Sequence, residues 1–152
     1  MNGLYERILV PTDGSTGTTR AAKHAVDLAA AHNATIHAVY VLNTASFASL
    51  PMETSWEGVS DMLQNEGEAA LDEVAEIAKP RDVPVMRVLL DGSPSKEIIR
   101  YAEAEDCDLI VMGTHGRGGI DRLLLGSVAE KVVRSSNVPV LTVRMSDEDV
   151  EE

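Results

Sequence analysis

The sequence predicts an α/β protein: a doubly wound, five-stranded parallel sheet with helices on both faces. Five short runs rich in Val, Ile and Leu recur along the chain: RILVPTD (7 to 13), ATIHAVYVL (34 to 42), VPVMRVLL (83 to 90), CDLIVMG (107 to 113) and VPVLTVR (138 to 144). Such runs are expected of strands covered on both faces. Helical periodicity fills the intervals between them. The resulting βαβαβαβαβ alternation requires a parallel sheet with right-handed crossovers.

Each element follows in order. The first strand runs into PTDGS (11 to 15), after which Ala22, Ala25, Val26 and Ala29 recur at i, i+3, i+4 and i+7, the apolar stripe of a helix. The second strand ends at VLN (41 to 43). Residues 43 to 58, NTASFASLPMETSWEG, form the one long irregular connection; Phe47 and Trp56 in it could close over a ligand or simply pack. Ala70, Val74, Ile77 and Ala78 mark the second helix. Beyond DGS (91 to 93), Ser93 followed by Pro94 reads as an N-cap with proline at N1, opening a helix that buries Ile98, Ile99 and Ala102. Ser127 and Glu130 form a capping-box pattern before Val128, Ala129, Val132 and Val133. Residues 1–145 are read as one domain, and SDEDVEE (146–152) as a solvated, disordered acidic tail.

Composition narrows the function. At 152 residues and 44% apolar, the chain can build a proper core. No run of about 18 apolar residues exists to span a membrane, and the start, MNGLYERILVPTDGS, lacks the layout of a secretory signal, so a soluble, cytoplasmic protein is expected. The net charge of −12, with 25 acidic residues against 13 basic ones, argues against a nucleic-acid or anionic-membrane surface. Acidity with so little lysine also fits a host cytoplasm kept at high salt. Cys107, the single cysteine, cannot form an internal disulfide and reads as a buried, inert thiol. His24, His32 and His37 show no metal-ligand spacing and read as surface or helix residues.

The segment GTHGRGGIDRLLLGS, residues 113 to 127, carries five glycines in two clusters. Glycine is unfavourable in regular structure by about 1 kcal/mol relative to alanine, so this density points to backbone geometry in use. The Walker pattern fails because no GK occurs in the chain. A dinucleotide fingerprint starting at Gly116 fails because Asp121 stands where its last glycine belongs. What remains is a strand ending on Gly113, a turn through Gly116 to Gly119, and a second approach at Gly126 before a helix. Backbone N–H groups in such turns, with the free donors of a helix start, make an anion-binding concavity suited to phosphate. Arg117 could add a charge-assisted bond. Ligands in such folds bind beyond the carboxyl ends of the strands, at the topological switch point, which places PTDGS, VLN, DGS and the glycine-rich segment along one rim.

The joint spacing of Gly113, Gly116, Gly126 and Ser127 resembles the ATP-binding signature of the universal stress protein family. The opening ILVPTDGS, the turn DLIVMGTHGRGG and the helix GSVAEKVVRSSNVPVLTVR extend the resemblance over nearly the whole chain. It implies an adenine-nucleotide alpha-hydrolase-like (Rossmann-like) sheet with strand order 3-2-1-4-5. It also implies a nucleotide-dependent stress-response regulator that binds ATP, with Mg2+ or Mn2+ carried on the phosphates as an open requirement. By position, Asp13 would meet the ribose or such a metal, or cap its own turn. Val41 would receive the adenine through its backbone, with Pro11 and Thr12 lining the adjacent floor. Met112, Gly113, His115, Gly116 and Arg117 would follow the sugar and phosphates, and Gly126, Ser127 and Val128 would hold the terminal phosphates. No residue is assigned a catalytic role and no dedicated metal ligand is identified.

In the order 3-2-1-4-5 the last strand lies at an edge and carries no charge until Arg144, which invites association. The resemblance implies a homodimer that pairs this strand, Val138 to Arg144, with its twin. Hydrolysis would need a positioned base or water-orienting group, and the sequence offers no arrangement aiming a water. A regulator is therefore expected rather than a fast enzyme, with slow hydrolysis or self-phosphorylation at Ser127 left open. The sequence opposes three rival readings. A dimeric interaction module of the same fold that binds no nucleotide is opposed by the intact glycine signature. A phosphoryl-accepting receiver domain, with Asp91 as acceptor, lacks the acidic pair after the first strand and the lysine after the fifth. An adenylating enzyme would need an SGGxDS-like loop where PTDGS stands.

Overall fold

Side chains along the central strands alternate between two separate apolar clusters, and that alternation sets the architecture. The computed structural model describes residues 4–43, 56–114 and 126–144. The elements run β1 (Arg7–Pro11), α1 (Thr16–His32), β2 (Thr35–Leu42), α2 (Trp56–Ala78), a 3-10 turn (Lys79–Arg81), β3 (Val85–Asp91), α3 (Pro94–Ala104), β4 (Leu109–Gly113), α4 (Ser127–Ser135) and β5 (Val140–Val143). The strands form one parallel sheet in the order β3-β2-β1-β4-β5, as expected. Ile8 and Val10 of β1, Ile36, Ala38 and Tyr40 of β2, and Leu109 and Val111 of β4 pack with α1 and α2 on one face. Leu9, Val39, Ile110 and Met112 pack with α3 and α4 on the other. A period of two on each strand therefore serves two helical layers at once.

The helices bury the stripes that periodicity assigns to them. Ala22, Ala25, Val26 and Ala29 are all buried, and these small residues let α1 lie close on the sheet. Asn33 ends α1 in the left-handed region at φ 60°, where asparagine is tolerated, and the Ala34 amide closes back on the Ala29 carbonyl at 2.9 Å. Ala70, Val74 and Ala78 are buried on α2 with Ile77 packed beside them. Gly67 leaves no room for a side chain against the sheet: a Cβ there would lie 2.7 Å from Leu89 Cδ2 and 2.8 Å from the Tyr40 ring. On α4, Ala129 and Val132 are buried but Val133 is exposed, so that helix has a narrower apolar face than its sequence suggests.

Three further expectations are revised. The edge strands are not covered on both faces: β3 exposes Met86, and no residue of β5 is fully buried. α2 begins at Trp56, so the long connection is shorter than 43 to 58; Phe47 lies outside the described residues, as does the tail 146–152. His37 is not a surface residue but a buried one on β2, with Nδ1 2.8 Å from the Tyr101 hydroxyl of α3. His24 is exposed on α1, and the His32 Nδ1 at the end of that helix accepts the Leu4 amide at 3.0 Å.

The outer side of β5 is open among the described residues. The Pro139 and Val143 carbonyls accept from Ile110 and Thr114. Strand alternation therefore turns the main-chain groups of Val140 and Thr142 away from β4.

Candidate functional site

Strand order reverses between β1 and β4, and a cavity of about 400 Å³ opens there, beyond the carboxyl ends of the strands. That volume lies in the range of small-molecule sites, roughly 300–1,000 Å³. Pro11, Thr12 and Asp13 approach it from β1, Val41 from β2, Met112 and Gly113 from β4, and Gly126, Ser127 and Val128 from the start of α4. All nine were singled out from the sequence, and the fold brings them together. His115, Gly116 and Arg117 lie outside the described residues.

The floor of the cavity is set by sheet register. β1 pairs with β2 up to Pro11 opposite Val39, and the Thr12 amide donates to the Val39 carbonyl at 2.9 Å. Val41 stands two residues farther along β2. Its N–H and C=O lie on the same edge as those of Val39, past the last residue that β1 pairs. A donor and an acceptor side by side are what the edge of a heterocyclic base can meet.

Beside them, the PTDGS turn is tied by its own side chains. The Asp13 Oδ1 accepts the Ser15 amide at 2.9 Å and lies 3.3 Å from the Thr18 hydroxyl, and Gly14 sits at φ 81°, a conformation that suits glycine. The Thr12 Oγ1 accepts the Gly14 amide at 3.1 Å. Asp13 thus does hold its own turn while also lining the cavity. Asp91, the acceptor of the receiver-domain alternative, ends the edge strand β3 and does not line it.

The far wall is the start of α4. The Gly126 amide donates to the Thr114 carbonyl at 2.6 Å, and its own carbonyl accepts the Glu130 amide at 2.9 Å. Gly126 is therefore the N-cap, with φ −64° and ψ 159°, and Ser127 is the first helical residue. The expected capping box is absent, because a serine at N1 has already entered the helix and cannot bond the third turn residue as a cap would. The N–H groups of Ser127, Val128 and Ala129 have no acceptor among the described residues. They carry the positive end of the helix dipole to the cavity wall. Ser93 does occupy the N-cap of α3 with Pro94 at N1, although its side chain makes no cap bond.

Among the described lining residues Asp13 is the only carboxylate, and none is a lysine, arginine or histidine. An anion here would be met by main-chain donors, with one carboxylate beside them that could meet a cation riding on that anion. The cavity is otherwise completed by residues the sequence did not flag: Thr18, Val39, Tyr40, Pro94, Ile98, Thr114 and Ala129. Thr114 and Ala129 adjoin flagged residues, and Pro94 follows the DGS turn already placed on this rim. Thr18 reaches the site because it lies one turn into α1, where helix geometry returns it to the turn.

The groups with displaced proton affinity lie at the opposite end of the sheet. Burial, with the Arg7 charge, holds the His37 imidazole below its ordinary range against an opposing pull from Glu105. Burial also raises the Tyr101 hydroxyl. Cys107 is buried and its thiol is pushed up to about 11, chiefly by burial, which fits the inert role expected of it.

A model of the universal stress protein family matches residues 4–144. The chain is 45% identical over 141 residues to universal stress protein MJ0531 of Methanocaldococcus jannaschii, across 93% of this chain and 83% of that protein. It is 35% identical over 143 residues to a universal stress protein of Methanothermobacter thermautotrophicus, across 93% and 97%. Among solved structures, that of MJ0577 superposes with a TM-score of 0.83 at 29% identity, covering 95% of this chain and 99% of the other. A universal stress protein in complex with cAMP superposes with a TM-score of 0.70 at 29% identity, covering 93% and 98%.

Proposed function

The chain belongs to the universal stress protein family, and we propose that it is an ATP-binding, nucleotide-dependent regulator of the stress response rather than a fast enzyme. The observation that carries this is the start of α4, which presents three amides without an acceptor among the described residues to a cavity of nucleotide size. In this reading the adenine edge bonds the Val41 main chain and rests near Pro11 and Thr12. The ribose meets Asp13, and the phosphates run past Met112 and Gly113 to Gly126, Ser127 and Val128. His115, Gly116 and Arg117 complete the phosphate site. The complex of a relative with cAMP supports an adenine nucleotide as the ligand class. Bound Mg2+ or Mn2+ would neutralise the phosphates beside Asp13, held mainly by the phosphates themselves.

Two extensions belong to the same proposal. The main-chain edge at Val140 and Thr142, open among the described residues, suits pairing of β5 with its twin in a homodimer. A net charge of −12 suits a salt-rich cytoplasm, and folding stability that is equal at low and molar salt would count against that part. The nucleotide assignment is tested by denaturing the purified protein and identifying what is released. Adenine nucleotide in near-stoichiometric amount is expected. A ligand-stripped protein that takes up no adenine nucleotide would favour an interaction module of the same fold.

A further inference from the structure

We propose that Thr18 is a positioning residue that fixes the Asp13 carboxylate for a ribose, so that a side chain on α1 sets the preference of the site for a sugar bearing hydroxyls. The inference rests on the nucleotide reading above and deepens it.

Hydroxyl protons can be counted through the turn. The Gly14 amide donates to Thr12 Oγ1 at 3.1 Å, and the Thr12 hydroxyl donates to Thr18 Oγ1 at 3.1 Å. The Thr18 hydroxyl has one proton and two acceptors within reach, the Ser15 carbonyl at 2.9 Å and Asp13 Oδ1 at 3.3 Å. The Ser15 carbonyl is also approached by the Thr19 amide and the Thr19 hydroxyl, each at 3.1 Å. A carbonyl has two lone pairs, and Thr19 alone can fill both. With the Ser15 carbonyl filled by Thr19, the Thr18 proton goes to Asp13, and a bond to an ionised carboxylate is the stronger kind; the Ser15 hydroxyl of the same turn has no partner among the described residues.

With Ser15 N–H and Thr18 O–H both on Oδ1, the carboxylate is held in one orientation on the cavity wall. Thr12 and Thr18 are both buried, at 8% exposure, so water competes poorly for these protons. A carboxylate presented this way is preorganised to accept from a sugar hydroxyl, at lower ordering cost than a freely rotating one.

The test compares ATP with 2′,3′-dideoxy-ATP by calorimetry on wild type, Thr18→Val, Thr18→Ser and Asp13→Asn. Wild type should prefer ATP. Thr18→Val should weaken ATP by about tenfold, the loss of a bond to a charged acceptor, and leave the dideoxy nucleotide within about twofold. Thr18→Ser, which keeps the hydroxyl, should retain the preference, and Thr18→Val added to Asp13→Asn should cost no further affinity. Equal weakening of both nucleotides by Thr18→Val, or an unchanged preference, overturns the assignment. Should Thr18→Val fail to fold, loss of the preference in Thr18→Ser overturns it equally. Uptake of neither nucleotide by wild type overturns the nucleotide reading itself, and the role of Thr18 with it.

Discussion

The Gly126 amide and the Thr114 carbonyl are joined by a 2.6 Å hydrogen bond that ties the residue after β4 to the N-cap of α4. This bond points the first turn of α4 at the switch point, so its amides, without an acceptor among the described residues, face the cavity. Gly126 itself has φ −64°, a value open to any residue, so a larger side chain there should disturb the cavity more than the fold. Gly126→Val is expected to weaken ATP by at least about tenfold in titration calorimetry while leaving the urea midpoint near wild type. Undiminished binding would place the phosphates elsewhere.

Dimerisation through β5 can be tested without touching its pairing to β4. The Thr142 amide points outward, so proline there removes an outward donor and no bond to β4. Thr142→Pro should shift the protein toward monomer in sedimentation at micromolar concentration. A variant that remains dimeric would locate the interface on another surface.

His37 makes stability depend on pH with a definite sign. Its folded affinity for a proton is lowered by burial and by Arg7, while Glu105 opposes and Tyr101 bonds its Nδ1. The unfolded chain, titrating near 6.5, therefore binds the proton first as pH falls, and stability is full above about 6.5 and declines below it. One proton bounds the slope at about 1.4 kcal/mol per pH unit. Urea denaturation from pH 8 to 5 should show a shallower decline for His37→Gln, whose amide can donate to or accept from the Tyr101 hydroxyl and does not titrate. Identical slopes would mean that other groups govern acid sensitivity.

Cys107 should be nearly unreactive while the protein is folded. A thiol raised from 9.0 to about 11 has roughly a hundredfold less thiolate at pH 8, and burial hinders access as well. Alkylation by iodoacetamide at pH 8 is expected to be at least about a hundredfold slower in the folded protein than in urea. Comparable rates would show that the β4 end of the sheet opens readily.

The parts legible in the sequence are those governed by local period. Ile8 to Val10, Leu109 to Met112 and the alanine stripe of α1 announce strands and a helix because burial repeats at two or at three to four residues. The switch-point rim was legible because every strand of a parallel sheet delivers its carboxyl end to the same side. What escaped depends on contacts between distant segments. His37 sits in the strand pattern ATIHAVYVL, but its partner Tyr101 is 64 residues away, and nothing local marks the pair. The N-cap of α4 is Gly126 rather than Ser127, with the Gly126 amide claimed by the Thr114 carbonyl, a choice made by β4 rather than by the helix. Thr18 was missed because its proton is allotted by the whole turn.

The central claim is that main-chain amides at the start of α4 hold the phosphates of ATP on an acidic protein. Calorimetric titration of folded, ligand-stripped protein with ATP and magnesium tests it most directly. Saturable uptake of one ATP per chain, strongly reduced in Gly126→Val, is the predicted result; no heat of binding up to millimolar ATP would contradict it.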